Sequence, residues 1–342
     1  MKKLFLIPVF AICCVFEISA QTPSQNLQKY WYYRFRLLND FILVGDCDGC
    51  GMPADIRARF SSEQFLNWGD APNDLGWYIG VLATEYKLLT DNSQDASQTK
   101  KELYYALQAF NRLDEKLEYY YRNPKQTILP VDRNGLFLRS DAPCDFLSTS
   151  RNDVPGDGFS SNYHHLNQGL TSVRSVSLVN DAFCDGYQGG NPVDIDVKKN
   201  CFGFEGSQDH IYAMLMGCAL VNKCVDGSAF YQDQTGVKVF SDGEIYIRNA
   251  ARNIVDRMIK KMRDDDWIIK NPVTGECLSY GDSGNADNPC LFECKRRGTG
   301  NAELLSYGVA EAANAITGGN YHNTTSSVEF AGLWQNFQNA PC

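Results

Sequence analysis

Histidine is scarce in this chain, basic residues are outnumbered, and no apolar run after the first twenty residues is long. There are 4 histidines in 342 residues, and 32 Lys and Arg face 41 Asp and Glu, a net charge of −9. That acid excess argues against recognition of nucleic acid through a basic face and against binding to an anionic membrane. The longest later apolar run, Ile211 to Val221, falls well short of the roughly 20 residues a membrane helix needs, and suits a buried helix. No low-complexity linker or composition break divides the chain, so residues 21–342 are expected to form a single domain.

The first twenty residues are what is present in their place. Lys2 and Lys3 precede an apolar run from Leu4 to Phe16, and Ile18-Ser19-Ala20 offers a small-residue cleavage site before Gln21. Apart from Glu17, this is the layout of a secretory signal, and residues 1–20 are expected to be one. Neither Ile12 before Cys13 nor Cys13 before Cys14 is the small residue a lipid anchor requires. The mature protein is therefore expected to be soluble and exported: secreted, periplasmic or at the cell surface.

Export makes disulfides the default reading of the cysteines. Cys13 and Cys14 belong to the leader, leaving Cys47, Cys50, Cys144, Cys184, Cys201, Cys218, Cys224, Cys277, Cys290, Cys294 and Cys342. Their number is odd, so at least one has no partner within the chain: it is free, pairs between chains, or has lost its partner. Cys47-x-x-Cys50 and Cys290-x-x-x-Cys294 lack an accompanying His, which favours disulfides over zinc. Only Cys218 and Cys224 fall on an expected helix; the others are placed to pin long loops.

Apolar periodicity is mostly helical. Helices are expected over Leu27–Val44, Asp74–Leu89, Thr99–Tyr121, Asp209–Val225, Asp242–Arg263, Ala302–Ile316 and Val328–Phe337. Thr99-Lys100-Lys101-Glu102 and Ser241-Asp242-Gly243-Glu244 read as capping boxes. Behind the first, Leu103, Ala106, Leu107, Phe110, Leu113 and Leu117 form one stripe. The pieces 74–89 with 99–121, and 209–225 with 242–263, read as two helical hairpins, each pairing a more apolar helix with a more charged one. Long loops rich in Gly, Asn and Cys separate them, within which Leu136-Phe137-Leu138 reads as a short strand.

Stacked hairpins of this kind, with the phrases Gly69-Asp70-Ala71-Pro72-Asn73-Asp74-Leu75-Gly76 and Glu205-Gly206-Ser207-Gln208-Asp209-His210, resemble the secreted bacterial (α/α) toroid and barrel proteins. The resemblance spans residues 27–337 and implies a mainly α fold with disulfide-pinned loops. It also implies an activity like that of glycoside hydrolases or polysaccharide lyases. Fewer helices are legible than a closed ring needs, and the chain ends on Cys342, so the ring is expected to be open or incomplete.

The acids stand at expected helix starts: Asp70 and Asp74, Glu205 and Asp209, and Glu303. Each alone is explained as a cap meeting the positive helix end. If the hairpins stack in the same sense, however, these starts share one mouth, where carboxylates serve as acid and base in glycosidic cleavage. The expected catalytic residues are Asp74 and Asp209, then Asp70, Glu205 and His165. Trp68, Tyr163, His164 and Glu303 are the expected substrate-binding residues. Trp77 and Tyr212 are assigned to the core, and His210 to a satisfied helix position.

Two sharper-looking strings are set aside. Gly281-Asp282-Ser283-Gly284 copies a serine-protease nucleophile turn, but a helical chain lacks that fold and its upstream His. Asp46-Cys47-Asp48-Gly49 opens like a calcium loop, yet Arg57 stands where Glu is needed. No cofactor is expected; Asp141, Asp145, Asp153 and Asp157 are the candidates for a structural calcium. The expected partner is an extracellular glycan. The rival expectation is a non-catalytic surface protein on the same scaffold, binding a glycan or another protein.

Overall fold

A helix whose apolar residues recur every three or four positions carries one dry stripe, and burying such stripes organises this protein. The computed structural model describes residues 22–38, 42, 51, 53, 55–57, 64–67, 71–121, 133–138, 142–143, 170–174, 178–179, 206, 208–265 and 301–321. Among them the chain forms α1 (Pro23–Arg36), β1 (Asp55–Arg57), β2 (Gln64–Asn67), α2 (Ala71–Asp91) and α3 (Ser97–Tyr121). There follow β3 (Ala142–Pro143), β4 (Leu170–Arg174), β5 (Leu178–Val179), α4 (Gln208–Cys224), β6 (Gln232–Asp233), β7 (Gly236–Val237), α5 (Ile247–Asp264) and α6 (Asn301–Thr317). The described part is mainly α, as the periodicity implies. Residues 1–20, expected to be a secretory signal, and Val328–Phe337 lie outside the described residues.

Leu103, Ala106, Leu107, Phe110, Leu113 and Leu117 are all buried on α3, and Ala251, Ile254, Val255, Met258 and Met262 on α5. These stripes join α2, α4 and α6 in one apolar cluster. The helix starts differ from expectation for identifiable reasons. At α1, Thr22 and Gln25 form a capping box with Pro23 at the first turn, upstream of the expected start at Leu27. At α3, Asp95 Oδ1 accepts the Ser97 N–H at 3.0 Å, so the helix begins before Thr99. Thr99 and Glu102 are then no capping box; both are buried and turned inward.

The second expected capping box is also corrected. Glu244 Oε1 accepts the Ile245 and Tyr246 N–H groups at 2.9 and 2.8 Å, and Asp242 accepts the Glu244 N–H at 3.1 Å. The segment 241–244 builds a turn through Gly243, at φ +85°, and α5 starts only at Ile247.

Two antiparallel hairpins result. In the first, Glu85 and Tyr78 of α2 meet Thr99 and Glu102 of α3. In the second, Asn222 of α4 and Val225 just beyond it meet Arg252 and Arg248 of α5. α3 meets the segment before α5 through Tyr104 with Val239 and Phe240, and α5 itself through Asn111 and Asp114 with Arg257. α6 packs on α4 and α5. It ends at Gly318, φ +76°, whose N–H bonds to the Asn314 carbonyl, a left-handed position that glycine adopts without strain.

The strands are short. β2 pairs antiparallel with β1 and parallel with β4, setting Asn67 opposite Arg174 and leading the chain toward the start of α2. β3 pairs with β5, and β6–β7 is a small hairpin closed by Thr235 on Asp233. Of the expected strand at Leu136–Leu138 a single β-bridge at Leu138 is present; the segment is buried on α3, with the Leu138 N–H bonded to the Leu113 carbonyl at 3.1 Å. Among the described residues no helix is long and apolar enough to cross a membrane.

Candidate functional site

Small residues let two helices approach until their backbones touch, and α2 and α4 do so. A Cβ on Gly76 would overlap the Ala213 carbonyl, and one on Gly217 would overlap the Gly76 carbonyl oxygen. Farther on, Gly80 faces Met216, Gly217 and Leu220, and the Tyr86 hydroxyl donates to Asp226 at 3.1 Å. Residue numbers rise together on both helices, so α2 and α4 run parallel and start at the same end. Side-by-side parallel helices put two positive dipole ends together, a cost that acidic first turns offset. Asp74 stands in the first turn of α2 and Asp209 in that of α4.

A loop the sequence separates widely is laid against this end. The Gly206 N–H donates to the Phe137 carbonyl at 2.7 Å, and any side chain at 206 would strike the Phe137 ring. Phe137 in turn packs against Phe110 of α3, the rings tilted 51° with centroids 4.9 Å apart. Gly135, at φ +91°, lies against the α5 backbone at Arg257 and Met258, where a Cβ has no room. Its N–H is taken by Asp114 Oδ1 at 2.8 Å. Asp114 is fully buried; its other oxygen accepts from Arg257 Nε at 3.1 Å, and Arg257 Nη2 donates to Asn111 at 2.6 Å. Arg257 Nη1 also reaches Asp242 at 3.5 Å, so this one guanidinium ties α3, α5 and the turn before α5 together.

Of the expected catalytic residues, Asp74 is half-buried and Asp209 exposed. Asp70, Glu205 and His165 lie outside the described residues, as do Trp68, Tyr163 and His164. Glu303 sits on the third residue of α6, and its side chain lies outside the described set. His210 is buried. The calcium candidates Asp141, Asp145, Asp153 and Asp157 also fall outside; among the described residues no cluster of three or more His, Cys, Asp or Glu is placed to hold a metal.

One assignment changes. Trp77, expected in the core, is 59% exposed and continues outward through Val81 and Leu88 along one face of α2. Periodicity marks apolar stripes without telling which of several a neighbour covers. Cys218 and Cys224 are free thiols, while the other cysteines of the chain lie outside the described residues.

The sequence reading missed a buried ionic group. Arg34 of α1 pairs with Glu85 at 2.8 Å and with Glu102 at 2.6 Å, joined by Tyr30, Tyr78 and Thr99. Burial pushes the Tyr78 hydroxyl up, reinforced by the neighbouring Glu102 charge. At Glu85 burial acts upward, but the hydrogen bonds and charge of Arg34 prevail with help from Tyr30 and Thr99, and the carboxyl is held below its ordinary value. A signal existed: Glu85 interrupts the stripe of Tyr78, Leu82, Tyr86 and Leu89, where an acid needs a buried partner.

No protein-family model, no curated protein and no solved structure matches this chain.

Proposed function

We propose that the chain is an exported protein of toroid-like helical architecture, its ring open or incomplete, acting on extracellular polysaccharide by glycosidic cleavage or elimination. Carboxylates at the starts of its inner helices are its acid and base. The reading is supported by one observation: α2 and α4 run parallel in backbone contact, so Asp74 and Asp209 belong to first turns at a common end. The loop carrying Phe137 closes on that end through Gly206, next to Glu205. A hydrolase needs two carboxyl groups about 5–10 Å apart. Asp70, Glu205, Glu303 and His165 are the further candidates for the chemistry, and Trp68, Tyr163 and His164 for holding sugar rings.

The test is a screen of purified protein against a panel of polysaccharides, with reducing-end release and unsaturated-product absorbance as readouts. Asp74→Asn and Asp209→Asn are each expected to lower turnover at least about 100-fold, the scale of general acid–base catalysis. Turnover unchanged in both variants rules out their catalytic role. Export is tested by sequencing the N-terminus of exported protein, with Gln21 expected first.

A second reading, glycan binding without turnover, is favoured by ring faces at the surface. Trp31, Tyr32, Phe35 and Trp77 are all exposed. Under it, Trp31→Ala and Trp77→Ala weaken retention on an immobilised glycan while Asp74→Asn and Asp209→Asn do not.

A further inference from the structure

Arg34 is the one buried residue of α1, at 6% exposure, while Leu27, Trp31, Tyr32, Tyr33 and Phe35 of the same helix are exposed. Its guanidinium enters a recess between α2 and α3. Nε lies 2.8 Å from Glu85 Oε2, and Nη2 lies 3.3 Å from Glu85 Oε1 and 2.6 Å from Glu102 Oε2. Cζ stands 5.9 Å from the centre of the Tyr78 ring. The third nitrogen, Nη1, is buried with no hydrogen-bond partner among the described residues.

The receiving groups all belong to the α2–α3 hairpin and hold one another without α1. Thr99 Oγ1 donates to Glu85 Oε1 at 2.7 Å, Gln98 Nε2 donates to Glu102 Oε1 at 3.2 Å, and the Tyr78 hydroxyl donates to Glu102. Only Tyr30, whose hydroxyl donates to Glu85, comes from α1. Two carboxylates beside an aromatic face are the groups that recognise a planar fork of N–H donors. A compact ammonium does not match that fork. With the cation removed, two buried carboxylates face each other uncompensated, so the recess is complete only when a guanidinium fills it.

We propose that the α2–α3 hairpin carries a guanidinium receptor, formed by Glu85, Glu102, Tyr78 and Thr99, which Arg34 fills in cis and which binds an external guanidinium cation once Arg34 is withdrawn. α1 is then a releasable latch: a helix with outward aromatic faces whose one buried side chain is Arg34, seconded by the Tyr30 hydroxyl on Glu85 and by Leu37 and Leu38 packed on the core just beyond its end. The ligand class is the alkylguanidinium, including an arginine side chain from another segment.

The test uses the full chain. Arg34→Ala is expected to lower Tm by roughly 5–10 °C, the scale of a broken buried ion pair. Millimolar ethylguanidinium chloride is expected to restore a few degrees of that loss, whereas sodium chloride or ethylammonium chloride at equal ionic strength does not. Equal responses to all three salts overturn the proposal. Should Arg34→Ala fail to fold, wild-type protein decides: N-acetyl-argininamide is expected to speed amide exchange over residues 23–36, with the lysine analogue inert. Exchange that ignores both amides, or answers both alike, overturns it.

Discussion

Cys218 and Cys224 show how far position on one helix separates two identical side chains. Six residues of helix rise set their Cα atoms about 9 Å apart, beyond disulfide reach. Cys218 is fully buried and its thiol is pushed up to about 12 by that burial, whereas Cys224 is half-buried. Iodoacetamide labelling at about pH 8 with peptide mapping is therefore expected to modify Cys224 in the native protein and Cys218 only after unfolding. Labelling of Cys218 at the rate of Cys224 contradicts the burial. Asp114 is the other decisive single residue, since its two oxygens serve Gly135 and Arg257 from a position with no exposure. Asp114→Asn is expected to cost about 3 kcal/mol in urea unfolding, because Arg257 then loses its buried counter-charge.

At the scale of elements, the α2–α4 crossing carries the most consequence. Neither helix has room for a methyl group at the contact: Gly76 meets the Ala213 backbone, and Gly217 meets the Gly76 carbonyl. Gly76→Ala is expected to destabilise by about 3 kcal/mol or more, since the two backbones must separate along the crossing. Alanine at an exposed helical glycine instead stabilises by roughly 1 kcal/mol, so the sign of the change separates the two situations. Gly308 on α6 has open space around it and is the control: Gly308→Ala is expected to raise the urea midpoint. The same crossing brings the Asp74 and Asp209 turns to one end, so Gly76→Ala also tests how far any activity depends on that register.

For the whole molecule, stability as a function of pH follows from a few groups. Glu85 is held below its ordinary value, and Asp233 is held down to about 2 by Thr235 and Lys238. A carboxyl lowered on folding contributes fully above its unfolded value and loses that contribution as pH falls through the folded one. The urea midpoint is therefore expected to decline from about pH 5 toward pH 2, with a shallower decline in Glu85→Gln. At the alkaline side, burial pushes Tyr86 and Tyr321 up to about 12, reinforced by their bonds to Asp226 and Asp256. Groups raised on folding lose their contribution as pH climbs, so a second decline is expected between about pH 10 and pH 12. A midpoint flat across either window contradicts the contacts named.

Helices α2 to α6, their apolar stripes and their pairing into two hairpins were legible in the sequence, because helical periodicity is local: residues three and four apart share a face whatever the neighbour is. The acids at the starts of α2 and α4 were legible for the same reason. Tertiary structure decided which stripe was covered, leaving Trp77 outside. It turned Thr99 and Glu102 from an apparent cap into partners of Glu85 and Arg34, and it set Gly206 against Phe137. Each of those depends on a contact between residues far apart in the chain, and a local pattern carries no record of its partner. The scarcity of histidine and the acid excess could exclude chemistries; only the parallel contact of α2 with α4 brought two particular carboxylate-bearing turns to one end.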